Sequence, residues 1–185
     1  MVNEGGSIEV DGRGTLMAKR SSILNPNRNP GMTQAEAESY FEYYLGVTNF
    51  IWLDGKIGGD VTDDHIDGTA RFAHGDTIVI GNAVGNEHAI LSNATDVDGN
   101  QYQIVDLPLT QNIVTGTLKG LYINYYVGND VVIVPKYNDP NDDVAKNILQ
   151  GVYPTKTMVQ IDFMELYKDG GVVHCVTKEE PVVTR

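Results

Sequence analysis

Positive charge is scarce in this 185-residue chain: 13 Lys and Arg stand against 25 Asp and Glu, a formal net charge of −12. A polyanion would be repelled, so nucleic acid and anionic membrane surfaces are not expected partners, whereas a cationic small molecule is favoured. The same acidity would also serve solubility alone. Cysteine is scarcer still. The single thiol, Cys175, excludes an intrachain disulfide and a multi-cysteine zinc site, leaving either an inert buried thiol or a reactive one. No run of about 18 apolar residues is present, so no membrane-spanning helix is expected. The opening residues Met1-Val2-Asn3-Glu4-Gly5-Gly6 lack the basic and apolar regions of a signal peptide, and the expected compartment is the cytoplasm. What is there is ordinary: 41% hydrophobic and 21% charged residues suit one soluble domain over residues 1–185 with a sizeable core.

Three stretches share one pattern. The first hairpin pairs 6–10 with 15–18 across Asp11-Gly12-Arg13-Gly14, and Asp-Gly between alternating residues is a strong turn signal. The second pairs 68–72 with 77–80 across Ala73-His74-Gly75-Asp76, and the third pairs 122–127 with 131–134 across Gly128-Asn129-Asp130. The turns recur at intervals of roughly 50 to 60 residues, a length suited to a supersecondary unit. Helices should follow each hairpin. Thr33 and Glu36 form a capping-box pair ahead of an apolar face of Ala37, Tyr40, Phe41, Tyr44 and Leu45, and Gly46 stops the helix. A weaker helix is expected over 87–92. A third should be capped by Asp139, with Pro140 first and Ala145, Ile148, Leu149 and Val152 as its stripe. Closing strands are expected over 47–53, 101–107 and 158–163, giving the order ββαβ about three times over. A strand-like run over 172–177 reads as the start of a further unit.

Reactive residue types concentrate in three places: Glu4-Gly5-Gly6, Asp60 to Asp67, and Gly170-Gly171-Val172-Val173-His174-Cys175. If His65 to Asp67 is extended, both side chains share one face, and a histidine beside a carboxylate is an acid–base candidate. The bland alternative is a polar turn before a strand. On a strand, His174 and Cys175 point to opposite faces, so a histidine from elsewhere is the better partner for the thiol, and His65 has the acidic neighbour. A metal held by His65, Asp67, His174 and Cys175 is a formal alternative that the strand geometry and the lack of zinc-ligand spacings disfavour. His74 and His88 are given no role.

These clusters, together with Leu24-Asn25-Pro26-Asn27-Arg28-Asn29-Pro30 and Asp63-Asp64-His65-Ile66-Asp67-Gly68, resemble the agmatine deiminases and Porphyromonas-type peptidylarginine deiminases of the guanidine-modifying superfamily. The resemblance implies an α/β propeller of ββαβ units, the pentein fold, here incomplete: about three units plus the start of another. It implies that residues 1–185 are the C-terminal part of a catalytic domain whose N-terminal half, with a tryptophan–arginine–aspartate motif, is absent. It assigns Cys175 as nucleophile, His65 as general acid and base, Glu4 as the group holding His65, and Asp67 as the carboxylate gripping the guanidinium, with Asn124 near the pocket. No metal or organic cofactor is implied. The implied substrate is agmatine, converted to N-carbamoylputrescine and ammonia, with peptidyl arginine as the alternative. Amidino transfer and an inactive truncated fragment are the remaining alternatives. A homo-oligomer is compatible with the full-length protein.

Overall fold

Asp11 makes the first turn: its Oδ1 accepts the amides of Arg13 (2.8 Å) and Thr15 (2.9 Å), folding strand β1 (Ile8–Val10) onto β2 (Thr15–Lys19). The computed structural model describes residues 1–74 and 76–180, so Gly75 of the second anticipated turn lies outside the described residues. After β2 comes a short helix α1 (Arg20–Ile23), then α2 (Gln34–Leu45), then β3 (Asn49–Leu53), which pairs parallel to β2. The capping box at Thr33 and Glu36 is present, and Gly46 closes α2 with φ 69°, a left-handed conformation that favours glycine.

The same construction then repeats. Strands β4 (Ala70–Phe72) and β5 (Thr77–Ile80) are antiparallel, helix α3 (Glu87–Ser92) follows, and β6 (Gln103–Asp106) returns parallel to β5. A hairpin of β7 (Leu109–Thr115) and β8 (Leu118–Leu121) intervenes, which the sequence pattern did not anticipate. The third unit is β9 (Tyr126–Val127), β10 (Val131–Lys136), α4 (Asp142–Val152) and β11 (Thr157–Asp162), with α5 (Met164–Lys168) beyond it. Three ββαβ units thus give three sheets of one topology, with the second strand in the middle, antiparallel to the first and parallel to the third.

The chain divides into two compact units, Met1–Leu107 and the residues from Pro108 onward. In the first, every residue of β2 is buried, and its period-2 alternation serves two cores. Leu16 and Ala18 pack with Ile23, Ala37, Phe41, Val47 and Trp52 on the side of α2. Met17 faces the other way, into a cluster of Ile51, Leu53, Ile66, Ile78, Ile80 and Leu91 that joins the first two sheets. The second unit has an aromatic core: Tyr137 packs edge-on against Tyr122 and Tyr167, and Tyr125 against Tyr153.

Four expectations need correction. Only Ala37 and Phe41 of the α2 face are buried, while Tyr40, Tyr44 and Leu45 are exposed. The packing side of α2 is thus narrower than the apolar periodicity implied, because Ala37 and Phe41 alone of these five pack into the core with Leu16, Ala18 and Trp52. Helix α4 starts at Asp142 rather than after Asp139, because the Asp139 carboxylate accepts the amides of Gln111, Asn112 and Asn141 instead of capping an immediate helix. Residues 122–125 are a buried irregular segment, not strand; the Tyr122 hydroxyl donates to Asp142 (2.7 Å), and the Tyr125 hydroxyl lies 3.1 Å from that of Tyr153. The run 172–177 forms no strand: His174–Val176 is a 3-10 turn, and so no further unit opens there among the described residues.

Candidate active site

In the first unit, backbone and side chains bring Glu4, His65 and Asp67 to one place. Glu4 precedes a 3-10 turn (Gly5–Ser7) that leads into β1, while His65 precedes a second 3-10 turn (Ile66–Gly68) that leads into β4. His65 is therefore extended, as expected, but Asp67 lies inside the turn rather than on a strand. The two side chains still converge, because both pack against Gly6. A Cβ on Gly6 would lie 2.6 Å from Asp67 Oδ2 and 2.9 Å from His65 Nδ1, so hydrogen is the only side chain that fits. The far side of the ring is anchored by Glu4, whose Oε2 lies 2.5 Å from His65 Nε2. The His65 side chain is 10% exposed, and Asp67 is buried.

The loop before His65 is built from its own polar groups. Asp60 Oδ1 accepts from the Thr62 amide and hydroxyl and from the Asp64 amide, and Thr62 Oγ1 accepts the His65 amide. Asp63 and Asp64 both adopt positive φ, 61° and 71°, a conformation that aspartate tolerates better than most residues. The fully buried Lys19 reaches across to Asp64 (2.7 Å) and Glu87 (2.9 Å). Removing that ammonium would leave two carboxylates without their cation, one of them, Glu87, buried. Lys19→Met is therefore expected to destabilise the fold by about 3–5 kcal/mol, read as a lower urea midpoint.

Glu4 has two neighbours that favour its charged form. The hydrogen bond from Arg28 comes first; burial opposes it, and His65 adds to it, and together they hold the carboxyl below its ordinary 4.5. A carboxyl depressed in the folded state stabilises the fold above its unfolded value and loses that contribution as pH falls through its folded value. The stability difference between wild type and Glu4→Gln, measured in urea, should be full above pH 4.5 and vanish on further acidification.

In the second unit, Asn124 and Cys175 come together. Asn124 is buried, and its Oδ1 accepts the amide of His174 at 3.0 Å and that of Cys175 at 3.4 Å, with Cys175 Sγ also at 3.4 Å. The thiol is exposed on its 3-10 turn. A Cβ on Gly171 would meet Cys175 Cβ at 3.3 Å, so the missing side chain at Gly171 lets the backbone pass close to the cysteine. The strand on which His174 and Cys175 were expected is replaced by this turn. Among the described residues no group of three or more His, Cys, Asp or Glu side chains could hold a metal ion, and no helix is long and apolar enough to cross a membrane.

The sequence reading assigned no role to three contributors: Gly6, Lys19 and Arg28. Each acts through a side chain, or the lack of one, at long sequence separation.

Comparison with known proteins gives the family of the chain. A family model described as Porphyromonas-type peptidyl-arginine deiminase matches residues 1–181. A protein named "Putative agmatine deiminase" from Latilactobacillus sakei is 34% identical over 211 residues, which cover 98% of this chain and 58% of that protein. The solved "Putative Arginine Deiminase from Porphyromonas gingivalis" matches with a TM-score of 0.88 at 34% identity, over 96% of this chain and 56% of its own. The agmatine deiminase of Enterococcus faecalis matches with a TM-score of 0.87 at 27% identity, over 96% and 56%. The chain thus spans a little over half the length of these relatives.

Proposed function

Because this chain belongs to the Porphyromonas-type peptidyl-arginine deiminase family and carries part of its pentein α/β fold, we propose that it supplies the nucleophile and acid–base pair of a deiminase acting on agmatine. The observation that carries the reading is the Glu4–His65 contact of 2.5 Å, with the buried Asp67 against the same glycine. A histidine oriented by a carboxylate beside a second, buried carboxylate suits a cationic substrate whose leaving group needs a proton. The net charge of −12 favours the same substrate class.

The chemistry runs in two halves. Asp67 accepts hydrogen bonds from two guanidinium nitrogens, a planar bidentate match that fixes the carbon. The Cys175 thiolate adds to that carbon, and the resulting tetrahedral adduct expels ammonia as its C–N bond breaks, with His65 donating the proton. This leaves an S-alkylthiouronium. His65 then takes a proton from water, the hydroxide adds to the same carbon, and the C–S bond breaks to return the thiolate and release N-carbamoylputrescine, the proton of the added hydroxyl passing to solvent as the C=O forms. Glu4 holds the imidazole throughout, and Asn124 orders the turn that carries Cys175. No step calls for a metal or an organic cofactor.

The relatives are longer, and the resemblance assigns a second guanidinium carboxylate to their N-terminal half. With Asp67 as the one clamp this reading assigns among the described residues, the isolated chain should deiminate agmatine poorly. Measuring the ureido product made by the chain beside a full-length relative tests this; equal rates would overturn it. A second reading, arginine in peptides, is favoured by the description of the matching family model. Agmatine and a blocked arginine amide, offered in turn to an active preparation, separate the two.

A further inference from the structure

The loop Leu24 to Pro30 has no part in the chemistry above, yet it holds the acid–base pair from behind. Arg28 Nη2 lies 3.0 Å from Glu4 Oε2, the same oxygen that contacts His65. That nitrogen also donates to the Thr62 carbonyl (3.0 Å), and Nη1 donates to Asp63 Oδ2 (2.8 Å). A guanidinium presents its donors in a rigid planar fork. One side chain therefore fixes the spacing between the segment that bears Glu4 and the loop that bears His65.

The neighbouring Asn29 secures the first of these segments. Its side chain accepts the Val2 amide (2.7 Å) and donates to the Val2 carbonyl (2.8 Å), while also donating to Ile23 (2.8 Å). Asn29 is itself buried, and Asn25 O accepts the amides of both Arg28 and Asn29, closing the turn that presents them. The second segment needs holding because its two residues before His65 are left-handed, which costs energy in any L-residue other than glycine. Each has its own cation: Arg28 on Asp63 and Lys19 on Asp64.

We propose that Arg28 is a positioning residue that sets the geometry of the Glu4–His65 pair by bridging Glu4 and Asp63, with Asn29 fixing the backbone ahead of Glu4. The inference rests on the acid–base reading of that pair. Charge alone is not the point: lysine keeps the charge but presents one compact ammonium, which cannot span two carboxylates as a fork does.

The test uses the isotope-labelled chain in solution, wild type against Arg28→Gln and Arg28→Lys. In Arg28→Gln, the Glu4 carboxyl titration is expected to move up towards 4.5, and contacts between the His65 ring and the Gly6 α-protons to be lost, while resonances of β4 to β6 stay in place. Arg28→Lys should give an intermediate Glu4 midpoint. A glutamine variant with the wild-type Glu4 titration and intact His65–Gly6 contacts would overturn the proposal. Should that variant fail to fold, Asp63→Asn decides, since asparagine accepts a left-handed backbone: weakened His65–Gly6 contacts support the bridge, and unchanged ones sink it. None of these readings requires turnover. A failure of the deiminase reading would appear instead as a Cys175 that ignores guanidine-like reagents while the Arg28 bridge stands.

Discussion

Cys175→Ala is expected to abolish conversion of agmatine in a preparation where the chain is joined to the segment its relatives carry and the wild type turns over. His65→Ala in the same preparation lowers turnover by about 10²–10⁴-fold, the usual share of a positioned acid–base group. The two losses are expected not to add, since the proposed mechanism uses both residues in one covalent step. The double variant should be no slower than Cys175→Ala alone. Steady-state release of the ureido product measures all three. Glu4→Gln should fall between wild type and His65→Ala, because it removes the charge that holds the ring while leaving the ring in place.

Gly6→Ala is expected to cost about 100-fold in turnover, the scale associated with a misplacement of about 1 Å at a reacting group. The argument is steric. Gly6 has no positive φ, so alanine would suit its backbone, but the new methyl would sit 2.6 Å from Asp67 Oδ2 and 2.9 Å from His65 Nδ1. Neither neighbour is the free end of a flexible chain: Asp67 is buried in a turn, and His65 is tied to Glu4. Gly5→Ala is the control, because a Cβ there meets nothing within 4 Å, and it should be silent in both kcat and stability. Equal effects from the two alanines would mean that the glycines matter for chain flexibility and not for the room that Gly6 leaves.

The repeat was legible because it is written in local chemistry. Asp11 in the first turn, the capping box at Thr33 and Glu36, and the stop at Gly46 act over a few residues, and the structure keeps all three. The segment Tyr122-Ile123-Asn124-Tyr125 misled for the opposite reason. Its apolar residues are buried by tertiary packing against Asp142 and Tyr153, not by a ladder, and alternation cannot tell these apart. The run from Val172 failed in the same way, since a 3-10 turn held by the distant Asn124 side chain leaves no trace in β-propensity. The β7–β8 hairpin had a readable turn at Gly116, but irregular register blurs its alternation. At the candidate site, the motif around His65 was visible as a cluster of acids. Its division of labour was not. Asp63 and Asp64 turn out to anchor the loop to Arg28 and Lys19, and only contacts spanning 35 and 45 residues reveal that.

The most direct measurement is alkylation of Cys175 by 2-chloroacetamidine at neutral pH, mapped by mass spectrometry in wild type and in His65→Ala. A guanidine-shaped electrophile should label Cys175 faster than it labels free cysteine, agmatine should slow the labelling, and loss of the imidazole should suppress it. Labelling at the rate of a free thiol, indifferent to agmatine and to His65, would contradict the assignment of these two residues to one reaction.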